Sequence, residues 1–168
     1  MITPALIRRI RDEYVLDWDG IHGVTHWARV LENGLRVAAE SHADADIVRL
    51  FAVLHDSRRH NDEHDPQHGE RAAEFAERLR GELFDLDDTR FATLRVACAR
   101  HTHGRTHPDI TVQTCWDADR LDLMRVGTMP HPQYLCTDAA KRRETIEWAT
   151  QRSERYHIPT IVAEWNNW

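Results

Sequence analysis

The dipeptide His55-Asp56 closes the apolar run 47–54 and sets an imidazole and a carboxylate side by side where a hydrophobic segment opens into a polar one. At the C-terminal end of a helix the backbone dipole favours a histidine but not an aspartate, so Asp56 calls for a cation beside it. Two other segments offer the same donor types: His22-Gly23-Val24-Thr25-His26 upstream, and Asp117-Ala118-Asp119-Arg120-Leu121-Asp122 downstream. Neutral imidazole mixed with carboxylate suits Zn, Fe, Mn or Co better than it suits a cysteine-only structural site. An ion of that kind acidifies a bound water and neutralises phosphoryl oxygens, which is the chemistry of phosphate-ester hydrolysis.

Helices must position these donors. Thr3 caps and Pro4 opens a helix over 4–15, with Leu6, Ile7, Ile10 and Val15 near one face. Three-to-four spacing predicts a helix over 23–41 through Trp27, Val30, Leu31, Leu35 and Val37-Ala38, and a short, very apolar central helix over 45–56. Amphipathic helices are expected over 67–82 and 87–101, another from near Cys115 carrying the 117–122 segment, and a charged one over about 137–156. Strand-like alternation occurs only fleetingly, at Ile110-Thr111-Val112. The breaks at 16–22, 57–66, 102–113 and 127–136 hold most of the Gly, Pro, Asp and His. The expected fold is all-α, one compact helical domain over 1–168.

Composition limits the partners. Lys and Arg number 22 against 28 Asp and Glu, a formal charge of −6, which argues against sequence-independent binding of duplex nucleic acid. Cys98, Cys115 and Cys136 are three, widely spaced and without a CxxC pair, so neither a disulfide framework nor a zinc knuckle is expected. No export signal or membrane span is read in the chain, and the expected location is the cytoplasm. The aromatic pair in Trp165-Asn166-Asn167-Trp168 is expected to pack on its own domain or on the partner of a homodimer rather than hang in solvent.

The order H…HD…D over about residues 20–125 resembles the HD-domain superfamily of metal-dependent phosphohydrolases, a helical fold. The resemblance implies metal ligation by His26, whose His26-Trp27-Ala28-Arg29-Val30 is similar to the family's first histidine motif, by His55 and Asp56, and by Asp119 in Ala118-Asp119-Arg120-Leu121. Asp117 is the alternative if the register differs, the remaining aspartates then capping, bonding a ligating histidine or facing solvent. His22 is a supporting donor, a substrate contact or an ordinary loop residue. His68 and His101, with His103 as the alternative to His101, resemble the extra pair of the dinuclear branch H…HD…H…H…D, in which the aspartate of the pair bridges two metals. The implied cofactor is thus one divalent ion, or two, drawn from Mn, Fe, Co, Zn, Ni and Mg.

The implied activity is hydrolysis of a small nucleotide or related phosphate ester or diester by metal-activated water. Arg58 and Arg59, in the run Ser57-Arg58-Arg59 directly after the pair, and Arg105 are candidate donors to the substrate phosphate; the Arg pair reads equally as a solvated helix end matched to Asp62 and Glu63. Glu63, His60 and His103 are candidate general acids, with nothing in the sequence choosing among them. Arg120 reads as a surface partner of an acidic neighbour. The same ligand order also resembles di-iron oxygenases similar to myo-inositol oxygenase, and a ligand-binding domain without catalysis is the third reading.

Overall fold

Thr3 and Pro4 start the first helix as predicted: the Thr3 hydroxyl accepts from the Leu6 amide at 3.2 Å and α1 runs Pro4–Glu13. The computed structural model describes residues 2–168. It continues through α2 (Val24–Ser41), α3 (Ala45–Leu54), α4 (His68–Leu79), α5 (Asp88–Arg100) and α6 (Ile110–Arg120). Beyond these come short 3-10 turns at Leu123–Val126 and Pro132–Tyr134, then α7 (Asp138–Lys141), α8 (Arg143–Glu154) and α9 (Ile161–Asn167). Among the described residues all regular elements are helical and none is long and apolar enough to cross a membrane.

Helix α3 is the axis of the core because its sequence is apolar nearly all round. Ile47, Val48, Leu50, Phe51, Ala52, Val53 and Leu54 are all buried, the pattern of a helix surrounded by others rather than lying on a surface. It packs on α2, α5 and α6. Gly34 permits a close approach of α2 to α3 and α6, since a Cβ there would stand 2.5 Å from Val48 Cγ1 and 3.2 Å from the Ala118 Cβ.

Several boundaries differ from the sequence reading. Val15 lies beyond α1 and is exposed rather than on its buried face. Helix α6 begins at Ile110, five residues before Cys115 would start it, because Asp109 accepts from the amides of Thr111 and Val112 and caps the helix there. The alternation at 110–112 is therefore its first turn. The helix expected over 137–156 is two, broken at Arg142, whose extended backbone separates α7 from α8. At the C-terminus, Trp165 is buried in the main core within α9, and Asn166 accepts from the Trp18 indole at 2.7 Å. The terminal aromatics pack on their own chain.

The topology gathers chemistry at one end of the helices. Consecutive helices from α2 to α5 run in opposed directions, so the start of α2, the end of α3, the start of α4 and the end of α5 share that end. Segment 102–109 returns along the bundle, so that Thr111 at the start of α6 meets Asp44 at the start of α3, and the last turn of α6 reaches the same end.

Candidate metal centre

Five helix termini deliver six side chains to one buried cluster. His26 comes from the first turn of α2, His55 and Asp56 from the end of α3, His68 from the start of α4, His101 from just past α5, and Asp119 from the last turn of α6. Gly69 makes the α4–α5 half possible: a Cβ there would lie 2.6 Å from the Cys98 carbonyl oxygen, so only glycine lets α4 approach closely enough to bring His68 to His101. Phe51 braces the centre from the core, stacked on His55 with centroids 4.8 Å apart and edge-on to His101 at 6.0 Å.

Asp56 divides the cluster into two groups, one on each carboxylate oxygen. Its Oδ2 lies 3.7 Å from His26 Nε2 and 3.9 Å from His55 Nε2, and Asp119 Oδ1 lies 3.5 and 3.8 Å from the same two nitrogens. Its Oδ1 lies 3.0 Å from His68 Nε2 and 3.5 Å from His101 Nε2. These buried groups, His26 with His55 and Asp56, and Asp56 with His68 and His101, are each compact enough to hold a metal ion.

The second ring nitrogens show what the first ones are for. His26 Nδ1 donates to Asp122 at 2.7 Å, His55 Nδ1 to the carbonyls of Phe51 and Ala52 at 3.2 Å, His68 Nδ1 to the Asp65 carbonyl, and His101 Nδ1 to the Cys98 carbonyl at 2.8 Å. With Nδ1 protonated, each Nε2 of a neutral ring presents a lone pair inward, the arrangement that outer hydrogen bonds impose on metal-ligating histidines. Those lone pairs face one another, His26 against His55 at 3.1 Å and His68 against His101 at 2.8 Å. Two bare acceptors so close repel unless a cation lies between them. Nitrogens about 2.1 Å from one ion, at octahedral to tetrahedral angles, stand about 3.0–3.4 Å apart; the His26–His55 pair falls in that range and the His68–His101 pair just short of it, so the donor set could hold a metal ion on each side of Asp56 with a small opening of the second pair.

The electrostatics agree with that fit. Burial pushes His26 below the ordinary histidine range, and pushes His55 down to about 3, so both rings are neutral donors at pH 7. Burial alone would raise Asp56, but the surrounding histidines outweigh it through charge and hydrogen bonds and hold it well below the carboxylate range. Asp119 is likewise held low against burial by His55, Arg125 and His26. His101 departs from the other groups: burial works against its charged ring, yet the hydrogen bond and charge of Asp56 prevail and raise it, so an ion at this nitrogen has a proton to displace.

The aspartates of the 117–122 segment take three roles. Asp119 faces the cluster. Asp117 turns away and accepts from the amides of Cys136 and Thr137 at 2.7 Å and from the Thr137 hydroxyl at 2.8 Å; its carboxyl is raised by burial. Asp122 supports His26 and is itself gripped by Arg29, at 2.7 and 3.0 Å. His22 donates from Nδ1 to Asp56 Oδ2 at 2.7 Å, a supporting donor.

A cavity of about 490 Å³ opens over the cluster, reached by Asp56, His68, His101 and Asp119 and walled by the apolar segment 123–135 with Leu123, Val126, Met129 and Leu135. Arg59 and Glu63 line it, Glu63 from an exposed position in the 57–66 loop. Arg58 does not. Its guanidinium bonds the Glu13 carbonyl at 2.7 Å and lies over the Phe75 ring, pointing away from the metal ligands, because consecutive residues after the helix diverge. Nor does the Arg58-Arg59 pair match Asp62 and Glu63: Arg59 reaches the carbonyls of Asn61 and Glu63 and lies 3.6 Å from Asp56 Oδ1. His103 and Arg105 line a separate depression beyond Thr102, and His60 is exposed on the loop outside the cavity. Arg120 bonds the carbonyls of Tyr134 and Gly104 and covers Trp116 rather than pairing with an acid. Sequence reasoning missed Arg29 and Arg125. Both are side chains drawn inward toward Asp122, a signal carried by Arg29 lying one turn after His26 and Arg125 one turn after Asp122.

The chain matches no family model, no curated protein and no solved structure, so the likeness to HD-domain proteins rests on these residues alone.

Proposed function

We propose that the protein is a metal-dependent phosphohydrolase of the HD-domain kind, acting on a small nucleotide or related phosphate ester or diester. The observation that carries this reading is Asp56 presenting one oxygen to each of two histidine pairs whose Nε2 lone pairs converge. His26, His55, Asp56 and Asp119 would hold one divalent ion, and Asp56, His68 and His101 a second. Bound there, such ions supply Lewis acidity toward phosphoryl oxygens and acidify a water for in-line attack.

The chain's own groups do the rest. Asp122, the Phe51 and Ala52 carbonyls, the Asp65 carbonyl and the Cys98 carbonyl fix the tautomer and orientation of each ring. His22 fixes the Asp56 carboxylate from the side. Arg59, tied to the 61–63 backbone, adds positive charge beside Asp56 and stiffens the loop that carries Glu63, the one candidate acid that lines the cavity. The apolar wall over 123–135 limits water and gives the body of an organic phosphate a surface to rest on.

The convergence of all six side chains also serves a di-iron oxygenase, the second reading. The test is a phosphomonoesterase and phosphodiesterase panel on untagged protein reloaded separately with Mn, Co, Mg and Fe. Hydrolysis that requires added ion and vanishes in Asp56→Ala supports the proposal; dioxygen consumption with two irons and no hydrolysis by any form transfers the site to the oxygenase reading.

A further inference from the structure

Three arginines line the cavity over the metal ligands: Arg59, Arg120 and Arg125. Each spends two nitrogens on backbone carbonyls, and Arg59 turns its third, Nη1, toward Asp56 Oδ1 at 3.6 Å. Arg59 donates from Nε to the Asn61 carbonyl at 3.2 Å and from Nη2 to the Glu63 carbonyl at 2.7 Å. Arg120 donates from Nη1 to the Tyr134 carbonyl at 2.9 Å and from Nη2 to the Gly104 carbonyl.

Arg125 differs. It is anchored by Nε on the Ile21 carbonyl at 3.0 Å and by Nη1 on the Asp122 carbonyl at 3.2 Å, and its side chain is only 6% exposed. Its Nη2 has a single neighbour, His22 Nδ1 at 3.5 Å. That nitrogen cannot accept. It already donates to Asp56 Oδ2 at 2.7 Å, so it offers Arg125 no lone pair. A buried guanidinium thus keeps an amino group without an acceptor, and leaving such a donor unmet is costly. The direction of that group is set by His22, which lines the large cavity and not the smaller one of about 300 Å³ on the other side of Arg125.

We infer that Arg125 is the residue that binds the anionic group of the ligand, its free amino group meeting an oxyanion, phosphate in the reading above, beside Asp119 and His22. The inference rests on the phosphohydrolase reading for the identity of the anion and on the hydrogen-bond inventory for the residue. It replaces Arg58, which faces away, and Arg105, which lies in the neighbouring depression. The anchors on Ile21 and Asp122 hold the guanidinium in place before ligand arrives, so little side-chain freedom is lost on binding. Arg125 is a binding and positioning residue.

The test is titration of the full-length, Mn-loaded protein with inorganic phosphate by calorimetry, comparing wild type with Arg125→Ala, Arg125→Lys and Arg105→Ala at measured metal content. Loss of a charged hydrogen bond to the anion predicts a Kd for phosphate raised about tenfold to a hundredfold in Arg125→Ala. Arg125→Lys keeps the charge but not the fork and recovers part of the affinity, and Arg105→Ala matches wild type. Should Arg125→Ala fail to fold, Arg125→Lys carries the comparison, with a rise of at least severalfold expected. An unchanged Kd in the Arg125 variants, an equal loss in Arg105→Ala, or no phosphate binding by wild type at millimolar concentration overturns the inference. Failure of the hydrolase reading looks different: Arg125-dependent phosphate binding with no ester hydrolysed keeps the anion site and removes the reaction.

Discussion

Replacing Asp122 by asparagine removes one charge from the most tightly bonded carboxylate at the centre while keeping its shape. Asp122 accepts from His26 and twice from Arg29, and its side chain is 1% exposed. Burial alone would raise its carboxyl, but the hydrogen bonds and charge of His26 and Arg29 outweigh this and hold it at about 2 instead of 3.8. That depression corresponds to about 2.5 kcal/mol of stability. Breaking a buried ion pair by deleting one partner costs about 3–5 kcal/mol, and asparagine retains one acceptor, so a loss of about 2–3 kcal/mol is expected. The sign follows from a folded value below the unfolded one: the stabilisation is complete above about pH 4 and is lost as pH falls toward 2. Urea unfolding of metal-stripped wild type and Asp122→Asn, followed by circular dichroism, should therefore show a constant gap from pH 7 to 5 that narrows between pH 4 and 2, as the unfolded carboxyl protonates first and the folded one only near pH 2. Loss of the orienting partner of His26 should also weaken metal binding about tenfold to a hundredfold. Equal stability at pH 7, or a gap indifferent to pH below 4, refutes the account of Asp122.

Two more perturbations separate ligands from scaffold. Gly69→Ala places a Cβ against the Cys98 carbonyl; despite the better helix propensity of alanine, thermal melts should show a net loss of about 1–3 kcal/mol and metal analysis a weakened site at His68 and His101, whereas a stabilised variant with full metal would mean that α4 does not need this approach. Asp119→Asn should lose metal and turnover with its helical spectrum intact, while Asp117→Ala should keep its metal but lose about 1–3 kcal/mol, because two buried amides lose their acceptor; the reverse pattern would mean that the two aspartates have exchanged roles.

The helices were legible in their apolar periods and His55-Asp56 in the helix end where such a period stops, whereas His26, His68 and His101 were read through the family likeness. His55-Asp56 after a wholly apolar run is the clearest case. Asp119 over Asp117 was legible only through the family likeness, since a 3.6-residue helix does not tell which of two nearby carboxylates meets a partner 90 residues away. The fate of Arg58 was not legible at all, and that of Arg125 only in its place one turn after Asp122. Both depend on where long side chains find acceptors, Glu13 for the first and Ile21 for the second, and those contacts are tertiary. The start of α6 was missed because the Asp109 cap lay inside a stretch of Pro, His and Thr that reads as loop, and α9 because seven residues carry too little period.

Metal stoichiometry tests the central claim most directly. Untagged protein titrated with Mn or Fe, then freed of excess ion, should hold close to two equivalents per chain. His68→Ala should hold one, retained by His26, His55, Asp56 and Asp119. The titration matters because a weak site empties by mass action during purification. A single equivalent that persists through it, unchanged in His68→Ala, would contradict a centre in which Asp56 serves two ions.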